Sequence, residues 1–480
     1  MTLSWLELAS VLLLPLLAGM GLLRSLGLCF EDDRLAFGGW AYLVGSLATG
    51  MLVLVFLLAE LPLEARFLAP CAGALALGGL GLAFRRRTEP RPPPAPRTPR
   101  GGAFEERLWI ALLLVLTAIT LLRMLEGSLH PIVEGDEGRI WARKARWLFR
   151  AGGFGPAFRE IAGAFGTDAH LDYPLLNPLL QIWTFAHAGD VLHVENRFAI
   201  QFSGIALLWV LAGALRRRMR PGAAAVLVLL FFHAQYTGEL ARVMFSDGML
   251  ALGLLAAVDA WLRWRESGNP AWWRLAAIGC AFLVLSKYEG AFYLLAALAA
   301  LGLAQLFPGD ALPGPAPGSR RLAWRVRVFG LLPFVAFALT WTLNAHLGFR
   351  SDVANESALA SLVADPLGRL ARIGTFFLER AFVRVEQDEG FLAVFLVLVL
   401  ACPRRALHGE LRPLTLFLGL VLAGYVFIYL ATPRELEWHL LTSADRLFYQ
   451  SLPVVVLAVA HLGARVLPAR LVGSGPEVQG

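Results

Sequence analysis

The sequence predicts an all-α polytopic membrane protein of about 13 transmembrane helices, with juxtamembrane helices on the extracytoplasmic side. Three observations carry that prediction. Of the 480 residues, 57% are hydrophobic and the mean hydropathy is +0.62, too apolar for a chain folded in water. The apolar residues fall in runs close to the length that crosses a bilayer. Between those runs the arginines gather in short blocks, as the determinants of membrane orientation do.

Taken in order, the first apolar runs are Leu6 to Leu28, Phe37 to Leu58 and Phe67 to Phe84, an N-terminal three-span unit over residues 1–84. Residues 1–28 lack a basic leader, so the first run reads as a span rather than a cleaved signal. Residues 85–107 are rich in Pro and Arg and have no apolar periodicity, which predicts a flexible linker on the cytoplasmic side. The next run, Leu108 to Leu125, then travels outward and opens a membrane domain over residues 108–462. Residues 463–480 form a C-terminal tail.

Just beyond Leu125 lie two adjacent acids, Asp136 and Glu137, and a helix starting there places Arg139, Arg143, Arg146 and Arg150 on one face. Ile140, Trp141, Ala145, Leu148 and Phe149 lie towards another face. Such a helix is expected to rest on the membrane, its apolar side in the headgroup boundary and its guanidinium forks on lipid phosphates. The acids are either N-terminal caps or part of a site.

The run Leu175 to Ala188 is short and contains Asn177, Pro178 and Gln181, which predicts a re-entrant or interfacial segment. If it does not cross, Arg216, Arg217, Arg218 and Arg220 fall in the cytoplasm, as do the blocks at 263–274, 320–327 and 404–412. The remaining spans are Phe198 to Leu215, Ala223 to Gln235, Gly248 to Trp264, Leu275 to Ser286, Ala291 to Leu306, Val328 to Leu347, Phe391 to Cys402, Leu414 to Ala431 and Leu447 to Leu462. On this topology Arg242, Asp247, Lys287, Glu289, His439, Asp445 and Arg446 all border the extracytoplasmic side, where ionisable groups at span ends mark function or anchor helix ends.

Composition excludes other classes. A net charge of +7 and a pI near 9.6 could suit nucleic acid, but the arginines sit between spans rather than on one basic face, so nucleic acid is excluded as a partner. The four cysteines, Cys29, Cys71, Cys280 and Cys402, include no CxxC pair and indicate neither a disulfide framework nor a zinc site.

The ordered segments GDEGRIW (135–141), DYPLL (172–176), SDGML (246–250) and LSKYEG (285–290) resemble the GT-C superfamily of membrane glycosyltransferases. They are most similar to the branch of protein O-mannosyltransferases and lipid A aminoarabinose transferases. ELEWHLLTSADRLFYQSLP (435–453) resembles a stretch in bacterial members of that branch. The resemblance covers residues 108–462, and Tyr173 stands where relatives often carry Lys before the Pro.

The resemblance implies transfer of a sugar from a polyprenyl-phosphate donor to an acceptor hydroxyl, at the outer face of a bacterial inner membrane. Such a reaction needs a carboxylate to take the acceptor proton, and Asp136, with Glu137 beside it, is the candidate. The departing lipid phosphate needs fixed cations, for which Lys287, Arg242 and Arg446 are the candidates. Asp247, His170, Asp172, Tyr173, Glu289 and His439 are candidates to hold the acceptor, the sugar or a divalent cation. Expected partners are the polyprenyl-phosphate sugar donor, membrane lipids, and an acceptor that is a lipid, a glycan or a protein. The competing class is a transporter or flippase of lipid-linked sugars, whose charges would line a path through the span centres.

Overall fold

A computed structural model describes residues 3–31, 33–85, 101–132, 135–165, 170–306, 328–349 and 365–466. Most of the predicted linker, the basic block 320–327, residues 350–364 and the tail beyond 466 lie outside the described residues. Among the described residues the fold is helical throughout, with no strand. The helices are α1 (Trp5–Leu26), α2 (Arg34–Leu58), α3 (Ala65–Arg85), α4 (Ala103–Gly127), α5 (Arg143–Ala151), α6 (Pro156–Phe165), α7 (Leu176–Ala188), α8 (Phe198–Arg216), α9 (Pro221–His233) and α10 (Gln235–Leu240). They continue as α11 (Asp247–Ser267), α12 (Pro270–Ser286), α13 (Tyr288–Leu306), α14 (Leu332–Leu347), α15 (Pro366–Phe382), α16 (Phe391–Ala401), α17 (Pro403–Ala406), α18 (Leu411–Ala431) and α19 (Leu436–Val466).

Nine of the helices among the described residues are long and apolar enough to cross a membrane: α1, α2, α3, α4, α8, α13, α14, α18 and α19. Helices α9, α12 and α16 are shorter and apolar. The sequence expectation of about 13 crossings also includes α11, which is buried along its length and carries Asp259 and Arg263 in its second half.

Local chemistry accounts for the helix boundaries. Ser4 and Glu7 form a reciprocal capping box on α1, and the Asp33 carboxylate accepts the Leu35 and Ala36 amides at the start of α2. Asn269 and Asp365 cap α12 and α15, each followed by a proline that suits the first helical position. Close packing of α1 on α2 needs glycine: a Cβ on Gly19 would overlap the Ala41 carbonyl, and one on Gly45 the Pro15 carbonyl. Helix α2 also packs on α7 and α8, so the first three helices are built into the main bundle.

Charged residues sort to two ends of that bundle. At one end Arg216 pairs with Glu106, Arg217 and Arg218 with Glu266, and Arg465 with Glu410 at 3.1 Å. Arg263 joins them, 2.6 Å from Asp33 and 2.8 Å from Asp259, with its guanidinium over the rings of Trp40 and Trp272. At the other end Arg446 meets Asp136 and Asp247, Arg197 meets Glu137, and Arg380 bridges Asp388 and Asp445. Helix α8 therefore runs from the second end to the first, as do α11 and α19, while α4 and α18 run back. Helix α7 is shorter, its 13 residues rising about 20 Å. It is buried along its length against α2, α5 and α8.

Candidate active site

Asp136 and Glu137 are neighbours in sequence and part company in space. Residues Glu137–Ala142 form a π-helical turn before α5, following Gly135 in the left-handed region at φ 74°. A π-turn widens the helix by one residue per turn, which is a common device at functional sites. Glu137 is turned inward and is 8% exposed. Its Oε1 accepts from Arg197 Nε at 3.0 Å and from the Met244 amide at 2.7 Å, and its Oε2 accepts from Arg197 Nη2 at 2.8 Å. Arg197 Nη1 also donates to Gly127 O at 2.6 Å, so the pair closes the end of α4 onto the start of α8. Asp136 remains at the surface of the cluster with a side chain 40% exposed.

The apolar face of this helix corrects the expectation of a helix half-sunk in lipid. Ile140, Trp141, Ala145 and Leu148 are buried inside the protein, and Phe149 meets Phe185 of α7 at 5.5 Å between ring centres. The reason is α7, a short apolar segment laid directly beneath α5.

Asp247 opens α11 with a fully buried side chain and gathers the cations. Arg446 donates to Asp247 Oδ2 through Nη2 at 3.0 Å and Nε at 3.3 Å, and its Nη1 donates to Asp136 Oδ2. Lys287 Nζ is 3.4 Å from Asp247 Oδ1 and 2.6 Å from Glu289 Oε1. Gln450, one helical turn beyond Arg446, also donates to Asp247 Oδ1 and accepts from the Tyr293 hydroxyl at 2.6 Å. The Arg446 guanidinium lies 4.4 Å from the Phe245 ring centre. Buried charges persist only when paired and hydrogen-bonded in this way. The outcome is a network of five ionised side chains drawn from four places in the chain, with Asp136 as its exposed member.

Local backbone explains the aim of each group. Lys287 is the single extended residue between α12 and α13, at φ −165° and ψ 161°, and the break directs its side chain to Asp247. The segment before Asp247 is held from both sides. Glu137 accepts the Met244 amide, while Asn177 Nδ2 donates to Met244 O at 2.8 Å and to Ser246 Oγ at 3.1 Å. Gln181 Nε2 donates to Asn177 Oδ1 at 2.9 Å, and Asn196 Nδ2 donates to Gln181 Oε1 at 2.7 Å. The polar residues that mark α7 as an unlikely span are thus the supports of the site.

No family model matches this chain, and neither do any curated proteins or solved structures. The site's own geometry therefore carries the functional argument.

Other predicted residues lie elsewhere or act differently. Arg242 is on the surface, paired with Glu126 at the end of α4 at 2.9 Å. His439 packs on the Tyr429 ring at 5.1 Å, almost two turns before Arg446. His170, Asp172 and Tyr173 form a loop whose carbonyls are used: Lys144 Nζ donates to His170 O and Tyr173 O, each at 2.9 Å. Tyr288 OH donates to Asp172 O at 2.7 Å. Burial pushes the Lys144 ammonium down to about 7, with Asp172 pulling it back up.

Among the described residues no group of three or more His, Cys, Asp or Glu side chains converges as a metal site. The acids of the cluster face guanidinium and ammonium groups instead, so these residues do not fit a divalent cation. Arg197, Gln450, Tyr293 and Lys144 carry no distinguishing mark in the sequence, and Asn177 and Gln181 are marked there only as polar residues of a short apolar run.

Proposed function

We propose that this chain is a membrane glycosyltransferase of GT-C type, moving a sugar from a polyprenyl-phosphate donor to an acceptor hydroxyl. The whole chain then has about 13 crossings, the first three helices, α11 and the three shorter apolar helices included. The arginine-rich end faces the cytoplasm of a bacterial inner membrane and the Asp136 end faces outward.

The observation that supports this reading is the Asp136–Arg446–Asp247–Lys287 constellation at one end of the bundle. Asp136 is half-open to the outside and contacts Arg446 through Oδ2. Its carboxylate takes the proton of the acceptor hydroxyl as that oxygen bonds to the anomeric carbon. The bond from the anomeric carbon to the phosphate oxygen breaks, and the electron pair leaves with the lipid phosphate. Arg446 and Lys287 stabilise the charge that develops there. Asp247 touches neither reactant: it holds the two cations side by side, a second layer of support for the groups that do. In exchanging one acid partner for a phosphate, either cation keeps its hold on Asp247.

The test is reconstitution of the purified chain in liposomes containing a polyprenyl-phosphate hexose or pentose and a panel of lipid, glycan and peptide acceptors. Release of free polyprenyl phosphate with a glycosylated product is the expected result. Movement of intact lipid-linked sugar across the bilayer, with no release, identifies a flippase instead.

A further inference from the structure

The loop from His170 to Tyr173 is tied on two sides to the two elements that carry the site. On one side stands Lys144, 1% exposed, on the helical run that Asp136 opens, with its Nζ 2.9 Å from both His170 O and Tyr173 O. On the other side the Tyr288 hydroxyl donates to Asp172 O at 2.7 Å, and Asn344 Nδ2 donates to the same oxygen at 2.5 Å. Tyr288 lies between Lys287 and Glu289, whose ion pair faces Asp247.

The Tyr173 amide donates to His170 O at 3.0 Å, and Pro174 has no amide to offer. His170 sits at φ 41°, a region that a residue with a Cβ occupies when its surroundings determine it. Leu171 and Asp172 are buried, so the loop's carbonyls need partners from outside. Lys144 and Tyr288 provide them. A neutral Lys144 amine has two N–H donors, matching the two carbonyls it meets. The rings continue the linkage: Tyr173 meets Trp141 at 5.8 Å on the Asp136 side and Tyr288 at 5.3 Å on the Lys287 side. The loop is thus joined to the start of α13, where Lys287 leaves the backbone as a single extended residue.

We infer that Lys144 is a positioning residue: acting through the 170–173 loop, it fixes Tyr288 and with it the Lys287–Glu289 pair in front of Asp247. The inference rests on the proposed function only for the purpose it assigns to Lys287, that of meeting the donor phosphate. Lys144→Met keeps the length of the buried stem and removes the donors, and Tyr288→Phe removes the hydrogen bond from α13 to the loop while Asn344 stays on the Asp172 carbonyl.

The experiment compares these two variants and their double variant as full-length protein in lipid nanodiscs. Hydrogen exchange is read over residues 170–176 and 284–291, and binding of a polyprenyl monophosphate is measured in parallel. Each single variant is expected to speed exchange in both segments and to weaken phosphate binding about tenfold, the scale of one or two lost hydrogen bonds. The double variant is expected to be no worse than the weaker single, because both act through one linkage.

Faster exchange confined to residues 170–176 in Lys144→Met, with 284–291 as in the wild type, would overturn the inference. If Lys144→Met cannot be recovered folded, Tyr288→Phe reads the linkage from the other end, and unchanged exchange at 170–176 overturns it equally. Failure of the wild type to bind polyprenyl monophosphate contradicts the proposed function alone, since the exchange measurement needs no ligand.

Discussion

Two adjacent carboxylates, Asp136 and Glu137, are set to different tasks by one π-turn. Glu137 is buried against Arg197, and removing one member of a buried pair typically costs ~3–5 kcal/mol. Asp136 is half-exposed, where an ion pair contributes at most about 1 kcal/mol. Glu137→Gln is therefore expected to lower unfolding stability in detergent by several kcal/mol, and Asp136→Asn to leave it nearly unchanged. Equal losses in the two variants would show that the acids share one environment. The sequence marked the pair, and it marked Asp247, Lys287 and Arg446 as ionisable residues at span ends. It could not separate Glu137 from Asp136, because the direction of each side chain depends on a π-turn that heptad-type spacing does not encode. Nor could it rank Arg242 below Arg446: both lie at span ends, and only the fold shows that one pairs with Glu126 at the surface while the other reaches Asp247.

At the scale of the element, α7 is the instructive case. Its Asn and Gln residues are legible in sequence and set it apart from the other short apolar helices. Their purpose is not, since Asn177 acts on residues 244–246, some 67 positions away. The same limit hid the lodging of α5 on α7: an apolar face reads alike whether lipid or protein covers it. Asn177→Leu removes two hydrogen bonds from the segment that leads into Asp247 and leaves Gln181 without a partner for one of its donors. Faster hydrogen exchange over residues 243–248, at about ten- to a hundredfold, is the expected result for the loss of one to two hydrogen bonds. Exchange unchanged from the wild type would mean that α7 does not hold that segment.

For the whole molecule, the division of charge between two ends turns a rule about loops into a statement about every helix. The arginine blocks that suggested orientation converge in space: Arg217, Arg218, Arg263 and Arg465 share Glu266, Glu410, Asp33 and Asp259 at a single end. Cysteines placed at the exposed Leu129, near the Asp136 end, and at the exposed Arg404, near the other, are expected to react with an impermeant thiol reagent from opposite sides of the membrane. Labelling of both from one side would contradict the arrangement. Arg321, which belongs with Arg404 by sequence, lies outside the described residues.

The central claim is that Asp136 accepts a proton during sugar transfer, and the direct measurement is turnover of Asp136→Asn. The variant keeps the shape of the side chain and can still meet Arg446, but it cannot take the acceptor proton. General base catalysis contributes about 10²- to 10⁴-fold. In liposomes supplied with a polyprenyl-phosphate sugar and an acceptor that the wild type uses, release of polyprenyl phosphate is expected to fall by at least a hundredfold in Asp136→Asn, with donor binding and unfolding stability close to wild type. Wild-type turnover in that variant would contradict the account.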